Sequence, residues 1–173
     1  MVETGDPRAT LRRGFATSLR QLRLALELIA EDVVGDEDAR IDWIAAGPDG
    51  RAWIVLLEHG RADATLLERG LVQRAWVEAR VADWRQLAPS LALRDGLTPG
   101  VLLVAAEHDR STRIAAREAA GDAIRVVRWD GDPERPALAV VDPPARARQK
   151  PLHAAPQLRS VFRTGLTDAD LAS

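Results

Sequence analysis

Apolar positions recur every third or fourth residue from about Ala9 to Val34, at Phe15, Leu19, Leu22, Leu26, Ile29 and Val33, while Arg12, Arg13, Arg20 and Arg23 fall off that stripe. The spacing predicts one long amphipathic helix carrying Glu27 and Glu31 one turn apart near its end. An acidic loop, Gly35 to Ala39, follows. Two nearly continuous apolar runs come next, Arg40 to Ala46 and Ala52 to Glu58, joined by Pro48-Asp49-Gly50. Pro presets φ, Asp bonds its own backbone and Gly accepts positive φ, so these runs predict a β-hairpin. Both are too apolar for a half-exposed sheet, which predicts cover on both faces.

A second helical pattern spans Ala64 to Leu87 and stops before Pro89, with a seam at Leu66 or Leu67, Leu71, Val77, Val81, Trp84 and Leu87. Gln73 and Arg80 interrupt its apolar face. The run Val101 to Ala106 has the fully apolar character of a central parallel strand. Ser111 to Ala120 reads as a short helix with Gly121 as its stop signal. Ile124 to Trp129 and Ala137 to Val141 read as strands hairpinned around Gly131-Asp132-Pro133. The order α-β-β-α-β-α-β-β describes an α/β domain with a mixed central β-sheet flanked by helices.

From Asp142 onward the periodicity is lost. Residues 1–142 are expected to form a single domain, and 143–173 a Pro/Arg-rich arm in which Thr167, Asp168 and Asp170 would cap a short helix. Within the arm, Arg146, Arg148 and Lys150 are the candidates for contact with nucleic-acid phosphates. Lys150 is the only lysine in the chain, so no titratable lysine is available to a core mechanism.

Cysteine is absent, which removes thiolate catalysis, disulfide exchange and cysteine-held zinc. A formal net charge of −2 argues against a surface coated by nucleic acid, while leaving room for a local basic patch. No apolar run approaches ~18 residues, and MVETGDPRAT lacks a basic start followed by an apolar core; neither a membrane span nor a secretion signal is expected. A cytoplasmic location fits these features.

Three residues in or directly after the hairpin runs are unusual for buried strands: Asp42, Glu58 and His59. A buried unpaired carboxylate costs several kcal/mol, so each acid requires a cation, a donor or an open cleft. One reading pairs them with Arg40, Arg51 or Arg61 at a strand end; the other places them in a site. Residues 56 and 58 share a strand face, so Glu58 is expected to reach toward Asp42 and His59 to point away. Gln73 is expected either to hydrogen-bond a nearby loop carbonyl or to line the same cleft as Glu27 and Glu31. Glu107, His108 and Asp109 follow the central strand and read as a polar loop entering the next helix.

The succession of a long helix, R-I-D in a strand, a P-D-G turn, a second strand, a second helix and a V-L-L-V strand resembles the PD-(D/E)XK (restriction-endonuclease-like) nuclease superfamily. It is most similar to its prokaryotic NucS-like or uncharacterised branch, over approximately Leu22 to Trp129. The resemblance implies a restriction-endonuclease-like core. It also implies a site where the first-strand aspartate and the acid of an E-x-K hold Mg²⁺ or Mn²⁺ while the lysine assists water. Asp42 matches that aspartate. E-L-K-x-G falls on Leu56-Leu57-Glu58-His59-Gly60, so Leu56 occupies the acid position and Glu58 the lysine position. The family's glutamine position on the second helix falls on Arg69 or Gly70, with Gln73 one turn later.

The frame therefore looks retained and the catalytic set eroded. The leading expectation is a non-catalytic nuclease-fold protein that binds nucleic acid or a partner protein, with no cofactor. An alternative keeps catalysis, as a Mg²⁺- or Mn²⁺-dependent nuclease with Asp42 and Glu58 as catalytic residues and metal ligands. A third is a structural or assembly subunit without ligand. Among Trp43, Trp53, Trp76, Trp84 and Trp129, one exposed on a helix would anchor a homodimer.

Overall fold

A computed structural model of the chain describes residues 7–22, 24–120 and 123–141. These lie in the first of two units into which the chain divides, Met1–Pro143 and Pro144–Ser173. Arg146, Arg148, Lys150 and the Thr167 cap lie outside the described residues.

In chain order the elements are α1 (Pro7–Ser18), continued by a 3-10 turn at Leu19–Leu22, then β1 (Glu27–Val34), β2 (Arg40–Ala46) and β3 (Ala52–Leu57). The short β4 (Arg61–Ala62), α2 (Ala64–Glu78), α3 (Val81–Leu87) and β5 (Gly100–Ala105) follow. The chain continues with β6 (Glu107–His108), α4 (Arg110–Ala120), β7 (Ile124–Asp130) and β8 (Ala137–Val140). Among the described residues the main sheet has six strands, in the order β1-β2-β3-β5-β7-β8. β5 lies parallel to both β3 and β7, and the remaining neighbours are antiparallel. β4 and β6 form a separate parallel pair.

The hairpin is where the turn chemistry puts it. Gly50 adopts φ 81°, and Asp49 Oδ1 accepts from the Arg51 N–H at 3.0 Å. Both sheet faces are covered. On one, Leu66, Leu67, Val77 and Trp84 of α2 and α3, with Ala116 of α4, meet Ile44, Ile54, Leu56, Val101, Leu103 and Val126. On the other, Leu11, Phe15, Leu19 and Leu22 meet Trp43, Val55, Leu57, Leu102, Val104 and Val127.

The first helix is shorter than its periodicity predicts. The second half of the stripe, including Glu27 and Glu31, is the edge strand β1. A register shift between Leu28 and Ala30 and a positive φ of 52° at Asp32 break the strand's period of two. The partly buried Ile29, Ala30 and Val33 thereby acquire a spacing that imitates a helix. The second helix is broken at Ala79–Arg80 without glycine or proline. Arg80 leaves helical geometry (φ −120°, ψ 15°), and its guanidinium donates to the Trp76 carbonyl at 3.1 Å and stacks 4.3 Å from the Trp76 ring centroid. A side chain thus satisfies a carbonyl near the break. Beyond it, Leu87 is 70% exposed and is not part of the seam.

Trp43, Trp53, Trp84 and Trp129 are buried, and Trp76 is half-buried against the core. Among the described residues no helix is long and apolar enough to cross a membrane.

Candidate functional site

β2 and β3 are in register from Ala46↔Ala52 to Trp43↔Val55, and then they part. Asp42 sits in the fork. Its carboxylate Oδ2 accepts from the Leu57 N–H at 2.8 Å, standing in for the ladder bond that a continuing β2 would have made. The carboxylate is 1% exposed and is gripped from the other side by Arg8 of α1: Nε donates to Oδ1 at 3.0 Å and Nη2 to Oδ2 at 2.8 Å. The bidentate pair holds the Arg8 pKa above its ordinary value. The neighbouring arginines have other partners. Arg40 pairs with Asp32 at 2.7 Å, Arg51 with Asp49 at 3.5 Å, and Arg61 with Asp109.

Glu58 follows β3 directly, where its N–H donates to the Val104 carbonyl at 2.7 Å. Its half-buried side chain lines a pocket of about 170 Å³ with Arg61, Asp63, Thr65, Leu66 and Arg69. Asp63 caps α2 by accepting from the Thr65 hydroxyl and from the Thr65 N–H, the latter at 2.9 Å, and these bonds lower the carboxyl pKa. Arg69, one turn into the helix, is half-buried, and among the described residues its Nε and Nη2 meet no hydrogen-bond acceptor. Burial pulls the Arg69 pKa down and the Arg8 cation adds to this, while Asp42 and Glu58 act in the opposite direction. Arg8 likewise feels both carboxylates. Asp42 and Glu58 thus lie within electrostatic reach of the same two guanidinium groups.

The other candidates are not brought to this cluster. Glu27 is exposed on β1 opposite Ala46, at the turn end of the hairpin, beside a groove lined by Gly47, Pro48 and Arg94. Glu31 is exposed on the same edge strand, opposite Trp43. Neither lies on a helix facing the hairpin, as the periodicity had suggested. Gln73 is fully buried, and its amide is committed to one loop residue: Oε1 accepts from the Asp36 N–H and Nε2 donates to the Asp36 carbonyl, both at 3.0 Å. It is a loop anchor and does not line the cleft. His59 points to the opposite face, 5.5 Å from the Trp129 ring. His108 bonds the Val127 carbonyl through Nε2 at 2.8 Å, and burial lowers its pKa.

Sequence reasoning missed Arg8, whose partner lies 34 positions away. Arg69 had a signal, since the glutamine position of the resembled family falls on it or on Gly70.

The residues present do not suit a divalent cation. Mg²⁺ and Mn²⁺ require bare oxygen lone pairs and a net negative cluster. Here the Asp42 oxygens already receive three N–H donors. Leu56, where the resemblance would put the second acid, is fully buried in the core. Among the described residues no group of three or more His, Cys, Asp or Glu is placed to hold a metal ion.

No protein-family model and no curated protein matches the chain. Solved structures do. A repair endonuclease from Pyrococcus abyssi aligns with a TM-score of 0.57 at 10% identity, over 76% of this chain and 50% of that one, so the chain spans about half the length of that enzyme. An EndoMS-dsDNA2 complex aligns at TM-score 0.44 and 13% identity, over 72% of this chain and 46% of that one. SPO1766, a protein of unknown function from Silicibacter pomeroyi, aligns at 0.35 and 17%, over 80% and 71%. In its mixed sheet, its covering helices and its likeness to the first of these, the chain has the fold of restriction-endonuclease-like nucleases.

Proposed function

We propose that this chain binds nucleic acid on a nuclease fold without cutting it. The observation that carries the non-cleaving half is Leu56. Its side chain is 0% exposed among Ile54, Val101 and Leu103, so the place of the second metal-binding acid is part of the hydrophobic core. With Glu58 in place of the lysine, the cluster also lacks a group to assist an attacking water. Support for a nucleic-acid ligand comes from the fold shared with a repair endonuclease, a likeness of architecture. Arg146, Arg148 and Lys150 complete the proposal as phosphate contacts, positioning the duplex through charge and without reading its sequence.

Fluorescence anisotropy with a labelled DNA duplex tests this. Binding is expected in the micromolar range at low salt, weakening steeply as salt rises, with the duplex intact after incubation with Mg²⁺ or Mn²⁺. Changing Arg146, Arg148 and Lys150 together to Ala should make the salt slope shallower by roughly 2 to 3. Absence of binding at low salt removes the ligand, and metal-dependent cleavage removes the non-catalytic reading.

A further inference from the structure

Arg8 is placed by the packing of its helix. Leu11 and Phe15, three and seven residues further along α1, are fully buried, so Arg8 lies on the face turned to the sheet. Phe15 stacks on Trp43, the residue next to Asp42, at 5.0 Å between ring centroids. The helix is therefore fixed to β2 at two adjacent residues, by a ring stack on Trp43 and by a forked ion pair on Asp42.

We infer that the Arg8 guanidinium is the resident cation of the Asp42 fork, so that Asp42 tethers α1 across the parting of β2 and β3 and the fork is closed to divalent metal. A guanidinium keeps its charge at every working pH and fills two carboxylate lone-pair directions at once. Leu57 N–H fills a third. Arg69 also lies within electrostatic reach of both carboxylates, so an arriving divalent cation meets positive charge as well as negative.

The sign of one substitution separates this arrangement from a vacant metal site. Where carboxylates crowd together to await a metal, neutralising one relieves repulsion and stabilises the metal-free chain. Here Asp42→Asn removes the anion from a part-buried guanidinium.

Thermal unfolding of the full chain should therefore show Asp42→Asn lowering Tm by roughly 6–10 °C. Arg8→Met should cost a similar amount, and the double variant no more than the worse single one, because both remove the same pair. Arg8→Lys, which keeps the charge and loses the fork, should fall between wild type and Arg8→Met. Faster hydrogen exchange at the Leu57 amide in Asp42→Asn would locate the loss at the fork. An Asp42→Asn chain as stable as wild type, additive losses in the double variant, or Arg8→Lys equal to wild type would overturn the inference. If Asp42→Asn does not fold, the comparison of Arg8→Lys with Arg8→Met still decides it. None of these outcomes depends on whether the chain binds DNA.

Discussion

Gly14→Ala is expected to destabilise the chain by about 3 kcal/mol, although the same change inside an exposed helix stabilises by up to about 1 kcal/mol. Helix propensity favours alanine because glycine loses more backbone freedom on folding. At Gly14 that preference meets a wall. A Cβ there would stand 2.1 Å from the Pro133 carbonyl oxygen and 2.7 Å from the Glu134 carbonyl carbon, in the turn joining β7 to β8. These are backbone atoms of a hydrogen-bonded turn, in which Arg135 N–H donates to the Asp132 carbonyl at 2.9 Å, so they cannot rotate aside. α1 must lift, and Leu11 and Phe15, both fully buried, lose their packing on the sheet. Gly60→Ala is the control, since a Cβ there meets nothing within 4 Å; it should be nearly neutral. Denaturant unfolding of the two variants measures the difference, and equal stabilities would refute the packing described for α1.

The second large effect is expected at Gln73. Its two hydrogen bonds to Asp36 are the link through which α2 holds the loop between β1 and β2. Gly35 belongs to the same contact, because a Cβ at that position would lie 1.8 Å from Gln73 Oε1. Gln73→Leu keeps most of the volume but leaves the Asp36 N–H and carbonyl without the amide, at an expected loss of about 2–3 kcal/mol. Gln73→Glu keeps the acceptor, converts the donor into a second acceptor facing the Asp36 carbonyl, and should lose at least as much. Equilibrium unfolding combined with amide exchange at Asp36 checks both, and a fully stable Gln73→Leu would show that the loop does not need its anchor.

Local chemistry made the hairpin legible. Pro48-Asp49-Gly50 allows few other conformations, and the unbroken apolar character of Val101 to Ala105 fits a strand with parallel neighbours on both sides. What misled was irregularity that preserves spacing. The register shift in β1 lets strand residues imitate a helical stripe, which is why the spacing predicts a helix where Glu27 and Glu31 lie on a strand. The break at Arg80 had no glycine or proline to announce it, only an arginine folding back on Trp76. At the site, Asp42 was legible because a carboxylate inside an apolar strand demands a partner. The partner was not, because hydrophobic period and motif spacing carry no information about which of many arginines crosses 34 positions to reach it. Gln73 was legible as a buried amide needing an acceptor, and the structure supplies both an acceptor and a donor from one residue.

The Arg8 guanidinium occupies the Asp42 carboxylate, and calorimetric titration of Mn²⁺ into the wild-type chain tests most directly whether it does so in place of a metal. The expected result is heat indistinguishable from dilution. Saturable binding that disappears in Asp42→Asn would contradict it, since the carboxylate held by Arg8 would then be available to a metal ion.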